Sequence, residues 1–235
     1  MKNILFIINP ISGGKDKRSF PDKIIQYLDL EKFNPDFVFT ERINHAHQLA
    51  KQAIDMGVDI IVAVGGDGTI NEVASVLVGS DQIMGIIPFG SGNGLARTLG
   101  IPVNEKEAIQ RLNGLNVDRI DSGILNNRYF FGIAGVGFDA HVSACFANKQ
   151  TRGLTGYIHT VLTEVVGYQS QHYTIEVDGK LFEREAFVIS IANSSQYGNN
   201  AHIAPLASVK DGLLDVCIIR RFPLYYLPMI GCHLV

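Results

Sequence analysis

Three short apolar runs in this chain each end in a glycine-rich loop, and that pattern constrains the fold more than any other feature. Ile4 to Ile8 leads into Asn9-Pro10-Ile11-Ser12-Gly13-Gly14-Lys15. Asp59 to Val64 leads into Gly65-Gly66-Asp67-Gly68. Ile83 to Ile87 leads into Pro88-Phe89-Gly90-Ser91-Gly92-Asn93-Gly94. Apolar runs of this length, bounded by turn residues, read as buried strands. A further strand, Phe37-Val38-Phe39, ends at Thr40. Pro21 to Leu30, Ala46 to Met56 and Ile70 to Val78 carry apolar residues at helical spacing, and Leu95 starts another helix. Strands alternating with helices predict a parallel α/β sheet. Such sheets bind ligands beyond the carboxyl ends of their strands. The three glycine-rich loops are therefore expected on one edge, facing one site.

The texture changes after about Asp118. Ser122 to Phe131 holds Asn126-Asn127, a hairpin turn between short strands. Tyr173 to Val177 alternates up to Asp178-Gly179-Lys180, and Phe187 to Ala192 is expected to return as its partner. Leu213 to Ile219 reads as a strand, and Leu154 to Val166 as the one helix of this half. The chain is expected to divide into an α/β domain, 1–118, and a mainly antiparallel β domain, 119–235.

Composition narrows the function classes. With 46% hydrophobic and 18% charged residues, 235 residues can bury a sizeable core. A net charge of -3 gives no electrostatic case for nucleic acid. Cys145, Cys217 and Cys232 are odd in number and far apart, which suggests neither a disulfide framework nor a zinc site. The seven histidines show no metal-ligand spacing, and His45 and His47 read as solvated. The first apolar run stops at Asn9-Pro10, too short for a signal peptide, and no stretch approaches the ~20 apolar residues of a membrane span. A cytoplasmic protein is expected, with peripheral contact at the inner membrane face. Phe222 to Leu227 could touch a bilayer but reads more simply as core.

Gly65-Gly66-Asp67-Gly68-Thr69-Ile70-Asn71-Glu72 is the most informative stretch. Glycines let a strand turn sharply into a helix and let backbone amides approach a phosphate. A carboxylate among them would repel phosphate, so Asp67 fits a metal ion, its bound water or a hydroxyl donor. Thr69 and Asn71 add neutral polar groups. The plain alternative is an ordinary turn with Asp67 as a helix cap. In the first loop Lys15 can neutralise phosphate charge while Gly13-Gly14 bring amides close. The spacing is not that of a P-loop. In the third loop Ser91 and Asn93 are donors, and Arg97 lies a helical turn beyond.

Asn9-Pro10-x-Ser12-Gly13, Gly65-Gly66-Asp67-Gly68-Thr69 and Pro88-x-Gly90-Ser91-x-Asn93 occur in that order. Together they resemble the diacylglycerol kinase catalytic-domain family, which holds bacterial lipid kinases and the sphingosine kinases. The likeness continues through Arg119-Ile120-Asp121, Phe131 to Phe138 and Lys210 to Asp215. It implies an α/β nucleotide-binding domain of NAD-kinase-like fold, a C-terminal β-sandwich for the lipid, and an active site in the cleft between them. It also implies transfer of the ATP γ-phosphoryl group to a lipid hydroxyl, foremost diacylglycerol to phosphatidic acid. By the same resemblance ATP would meet Thr40, Gly65, Gly66, Asp67, Gly68, Thr69, Ile70, Asn71, Ser91 and Asn93. Asn9, Pro10, Ser12, Gly13, Gly14 and Lys15 would lie near the phosphates. Asp67 would organise the active-site Mg2+ and its water, and Asp121 would join the polar network around the reacting hydroxyl. A second, structural Mg2+ would be held by Asp211 with backbone oxygens near Ser208 and Leu213. Phosphoryl transfer needs mainly positioning and charge neutralisation, which this set can supply.

The chain departs from the family pattern in two ways. Many bacterial members carry Asn-Asp where this chain has Asn93-Gly94, so one carboxylate of the magnesium network is missing and the loop looks like the sphingosine kinase form. The family also continues past the equivalent of Val235, to an Asp-Gly-Glu that supplies the proposed base and to strands that close the sandwich. The expectation is a partial sandwich with unpaired edges, prone to dimerise. The rival readings are an NAD kinase-like enzyme and a nucleotide- or lipid-binding relative without turnover. Against the NAD kinase, Asn71-Glu72 follows the shared glycine motif, and the first and third loops match less well.

Overall fold

The computed structural model describes residues 1–14, 16–147, 154–223 and 225. They form two compact units, Met1–Phe131 and Gly132–Val235. In the first, the order is β1 (Lys2–Ile8), α1 (Phe20–Tyr27), β2 (Phe33–Phe39), α2 (His45–Asp55), β3 (Ile60–Gly65), α3 (Asp67–Leu77), β4 (Ile83–Pro88), α4 (Gly94–Thr98), α5 (Glu105–Leu112), β5 (Gly123–Leu125) and β6 (Arg128–Phe130). Four strands make a parallel sheet in the order β2-β1-β3-β4.

Both faces of this sheet are covered, which is why its strands are continuous apolar runs rather than alternating ones. Leu5, Ile7, Ile61 and Ala63 pack on one side with Ala46, Ala50 and Ala53 of α2 and with Ile70, Val73 and Leu77 of α3. Ile4, Phe6, Ile8, Val62 and Val64 pack on the other with Phe20 and Ile24 of α1 and Ala108 and Ile109 of α5. Each fully buried aliphatic side chain contributes roughly 1.5–3 kcal/mol. Strand β2 starts at Phe33, earlier than its apolar core suggested, and runs through Pro35. Pro35 is tolerated because β2 is an edge strand with a free side. The Asn126-Asn127 turn joins β5 to β6 with both residues left-handed, φ 48° and 61°, the geometry a two-residue hairpin requires.

The second unit holds β7 (Ile133–Gly137), α6 (Phe138–Ala147), α7 (Leu154–Glu164), β8 (Gln171–Val177), β9 (Lys180–Ala186), β10 (Val188–Ala192) and β11 (Asp215–Ile219). Every strand pair is antiparallel, in a sheet β11-β10-β7 and a hairpin β8-β9. Two expectations are corrected here. The hairpin partner of β8 is Lys180–Ala186, not Phe187 to Ala192, which pairs with β7 and β11 instead. Strand β9 is charged and exposed along nearly its whole length, so no apolar pattern marked it. Helix α6 is a second helix in this half. Its Ala, Ser and Cys residues produce almost no amphipathic contrast. Among the described residues no helix is long and apolar enough to cross a membrane.

Candidate functional site

In the sheet order β2-β1-β3-β4, the chain leaves β1 toward one edge and β3 toward the other. The carboxyl ends of β1 and β3 therefore form the switch point at which open α/β sheets bind ligands. Asn9 follows β1 there and Gly66-Asp67 follows β3, and the two are joined directly. The Asn9 backbone N–H donates to Val64 O at 2.9 Å, and Asn9 Nδ2 donates to Thr69 Oγ1 at 3.0 Å. Asn9 Oδ1 accepts from the Ile11 amide at 3.2 Å, and Ser12 Oγ donates to Asn9 O at 3.1 Å. Pro10, with φ fixed by its ring, lies inside this turn.

The loops also touch through glycines. Gly13 has φ +64°, and a Cβ on it would stand 2.3 Å from Phe89 O in the third loop. A Cβ on Gly90 would stand 2.9 Å from Gly66 Cα. Glycine is required at Gly13 and Gly90 because backbone meets backbone, before any ligand is considered. Gly14 is also left-handed, and Gly65 lies against the Thr69 side chain. Gly68 lies in the first turn of α3.

Asp67 sits where the second and third loops meet. Its Oδ2 accepts from Asn93 N at 2.9 Å, and the amides of Gly94 and Leu95 and its own lie near enough to favour the charged carboxylate. Asn93 is buried and left-handed, and its Oδ1 accepts from Gly90 N at 2.7 Å. Asp67 thus caps α4, not the helix it begins. The residue as a whole is exposed to solvent. Loss of water raises its carboxyl above the ordinary range, and the four amides oppose that rise.

The buried Lys17 was not singled out by sequence reasoning. Its ammonium donates to Ser12 O and lies 4.6 Å from the centroid of the Phe89 ring. It ties the first loop to the third through Ser12 and Phe89. The residue chosen from sequence, Lys15, lies outside the described residues. The burial of Lys17 depends on distant segments packing over it, and no local pattern encodes it.

The remaining expected residues are placed as follows. Thr40 is buried at the end of β2, its amide on Ile8 O at 2.9 Å. Ile70 faces the core, and its amide makes the first bond of α3 to Gly66 O at 3.0 Å. Asn71 Nδ2 donates to Tyr129 O at 3.3 Å, tying α3 to β6. Ser91 is exposed at the tip of the third loop, and Arg97 Nε holds that loop through Gly92 O at 3.2 Å. Asp121 is half-buried two residues before β5. In the second unit Asp211 Oδ1 accepts from Leu213 N at 3.0 Å and Ser208 Oγ from Lys210 N at 3.3 Å. His45 is not simply solvated, because its Nδ1 accepts from the Glu41 amide at 3.0 Å.

The second unit carries its own polar cluster. Burial raises the Asp139 carboxyl, and hydrogen bonds from the Tyr157 and Tyr197 hydroxyls oppose the rise. Tyr157 donates to Asp139 Oδ1 at 3.4 Å, and both tyrosine hydroxyls are pushed well above their usual range, burial first and the Asp139 charge next. Nearby in the same unit an apolar cavity of about 420 Å³ is lined by Val165, Val166, Tyr168, Phe187, Phe222 and Arg221. Phe222 packs on Phe187 with centroids 5.4 Å apart, the core role expected of it, while the residues at 224, 226 and 227 lie outside the described residues.

The donor set fits a nucleotide phosphate and a hard cation. Gly66 to Thr69 present first-turn amides of an eleven-residue helix, which favour anions. Asp67 opposes direct phosphate contact but suits Mg2+, which takes one or two carboxylates and keeps its waters. Near Asp211 in sequence, its own carboxylate and the Ser208 hydroxyl are likewise hard oxygen ligands.

Comparison with known proteins bears on the family and the fold. Residues 3–125 match the diacylglycerol kinase catalytic domain, and residues 132–227 match the YegS C-terminal NAD kinase beta sandwich-like domain. A diacylglycerol kinase of Bacillus subtilis is 31% identical over 227 residues, covering 94% of this chain and 75% of that protein. A diacylglycerol kinase of Staphylococcus saprophyticus is 28% identical, covering 94% and 73%. A crystal structure of a diacylglycerol kinase from Bacillus anthracis superposes with a TM-score of 0.79 at 26% identity, covering 97% of this chain and 77% of that one. The α/β unit followed by an antiparallel β-sandwich unit is the fold expected from the sequence.

Proposed function

The chain belongs to the diacylglycerol kinase catalytic-domain family, a family of kinases, and from that premise we propose that it transfers the γ-phosphoryl group of Mg·ATP to a lipid hydroxyl, with diacylglycerol as acceptor and phosphatidic acid as product. The observation that carries the reading is the junction of three glycine-rich loops at the β1/β3 switch point, with Asp67 among them.

In this reading the first-turn amides of α3 bind phosphate oxygens, and the Thr69 hydroxyl, which accepts from Asn9, keeps its own proton to donate. Lys17 adds positive charge below the first loop, and Asn9 holds the first and second loops in register. Asn93 and Gly90 shape the third loop so that Ser91 stands at its tip. Bound Mg2+ supplies neutralisation of the phosphate charge. Asp67 holds that ion or its water, oriented by the α4 amides. Asp121 joins the polar groups around the acceptor hydroxyl, and Asp211 with Ser208 and Leu213 holds a second, structural Mg2+. The apolar cavity of the second unit is consistent with a lipid-handling role.

The test is transfer from γ-labelled ATP with Mg2+ to a mixed lipid extract and, separately, to NAD, with products identified by mass spectrometry. Labelled phosphatidic acid is the expected result. Labelled NADP would replace the lipid assignment with an NAD kinase. ATP binding without labelled product would reject turnover by this chain.

A further inference from the structure

We propose that His141, Cys145 and Glu164 form a zinc-binding site that clips α6 to α7. His141 and Cys145 are four residues apart on α6, so they share one face. Glu164 comes from α7, 23 residues beyond His141. Glu164 Oε2 lies 2.8 Å from His141 Nε2, and Cys145 Sγ lies 3.7 Å from the same nitrogen. The three ligand atoms lie within 4.8 Å of one another. Bonds of about 2.3 Å to sulfur and about 2.0–2.1 Å to nitrogen at a tetrahedral angle place S and N about 3.5 Å apart. The observed spacing matches that within a small side-chain adjustment, and a slight turn of the Glu164 carboxylate opens room for the ion.

The chemistry selects the metal. Sulfur, imidazole and carboxylate together suit Zn2+ and not the Mg2+ of the phosphate site. Three protein ligands leave one position for water. Cys145 binds as thiolate, its proton passing to solvent, and neutral His141 binds through Nε2. The surroundings are built for a fixed imidazole. The Tyr168 ring lies on His141 with centroids 5.2 Å apart, and Tyr168 is itself packed edge-on against Phe138 and Phe187. Buried Val142 and Val165 flank the ligands in sequence and form part of the same core. An apolar wall of this kind limits water at a metal site. Cys145, His141 and Glu164 are each half-buried, so an ion can reach them from solvent. A partly exposed His141–Glu164 ion pair alone would be worth only ~0–1 kcal/mol and would not use the thiol. The third ligand comes from a different helix, so no contiguous motif marks the site.

The test uses the untagged full chain, stripped by a chelator and returned to a buffer with excess Mg2+ so that oxygen-only sites are filled. Co2+ is titrated first and then displaced by Zn2+. The expected result is one equivalent of Co2+ bound with a thiolate-to-cobalt charge-transfer band and the intense visible bands of a four-coordinate ion. Cys145→Ser, close to isosteric, loses the charge-transfer band, while Cys217→Ser keeps it. His141→Ala and Glu164→Gln weaken Zn2+ binding at least about tenfold, since even outer-shell changes cost roughly 10–100-fold. Zn2+ raises the unfolding midpoint of the parent chain and not that of Cys145→Ser. A cobalt spectrum without charge transfer in the parent chain overturns the proposal, whatever the variants do. So does a band that persists in Cys145→Ser.

Discussion

Asp67 accepts from Asn93 N at the start of α4, and nearby amides favour its charged form, yet loss of water raises its carboxyl above the usual range. The folded value lies above the unfolded one, so the residue's contribution to stability is fully present below the ordinary carboxylate range and is lost as pH rises through the folded value. Asp67→Asn keeps an acceptor for the Asn93 amide and removes the charge. At neutral pH its unfolding midpoint is expected to equal or exceed that of the parent, with the gap closing as pH falls below the carboxylate range. Phosphoryl transfer is expected to fall by at least ~10²-fold, the scale of one preorganised electrostatic contact. Thermal unfolding across pH, beside the labelled-ATP assay, checks both; near-parent activity would remove Asp67 from the mechanism. The importance of the residue was legible in Gly65-Gly66-Asp67-Gly68-Thr69. Its role as the cap of a helix 26 residues away was not, because only the folded chain brings Asn93 beside it.

At the scale of elements, the second loop and α3 do more than present amides. Glu72 accepts from Asn44 N at 3.0 Å and Ala46 N at 3.2 Å, closing the start of α2. Asn44 is left-handed and makes no side-chain cap of its own, so the neighbouring helix supplies it. The carboxylate also lies at the positive end of the α2 dipole. Glu72→Ala is therefore expected to lower stability by about 1 kcal/mol, the usual effect of losing a cap, as read by urea denaturation. Nucleotide affinity should stay within twofold of the parent, roughly 0.4 kcal/mol on the scale where 1.4 is tenfold. A large loss of affinity would instead place Glu72 in the phosphate site. Strands β1, β3 and β4, helices α1 to α3 and the β5–β6 turn were legible because period and turn chemistry are local. Helix α6 and strand β9 were not, the first for want of amphipathic contrast and the second because it is charged and exposed.

At the scale of the whole molecule, each unit has its own buried cluster and the three glycine-rich loops all lie in Met1–Phe131. Anything that binds the folded state protects what it holds. Mg·ADP is therefore expected to slow amide exchange in peptides spanning 9–14, 65–71 and 90–95, and to leave the β8–β9 hairpin unchanged. Hydrogen-exchange mass spectrometry reads both, and protection confined to the hairpin would overturn the placement of the nucleotide. The sequence alone determined the alternation of strands and helices from β1 to β4, the parallel sheet and the edge on which its glycine-rich loops gather, because hydrophobic period, turn residues and strand-end position act between near neighbours. Only the tertiary structure decided that Lys17 is buried, which helix start Asp67 meets, how Glu72 closes α2 and that His141, Cys145 and Glu164 meet. Each of those depends on distant segments packing at fixed spacing, and no local pattern carries that information.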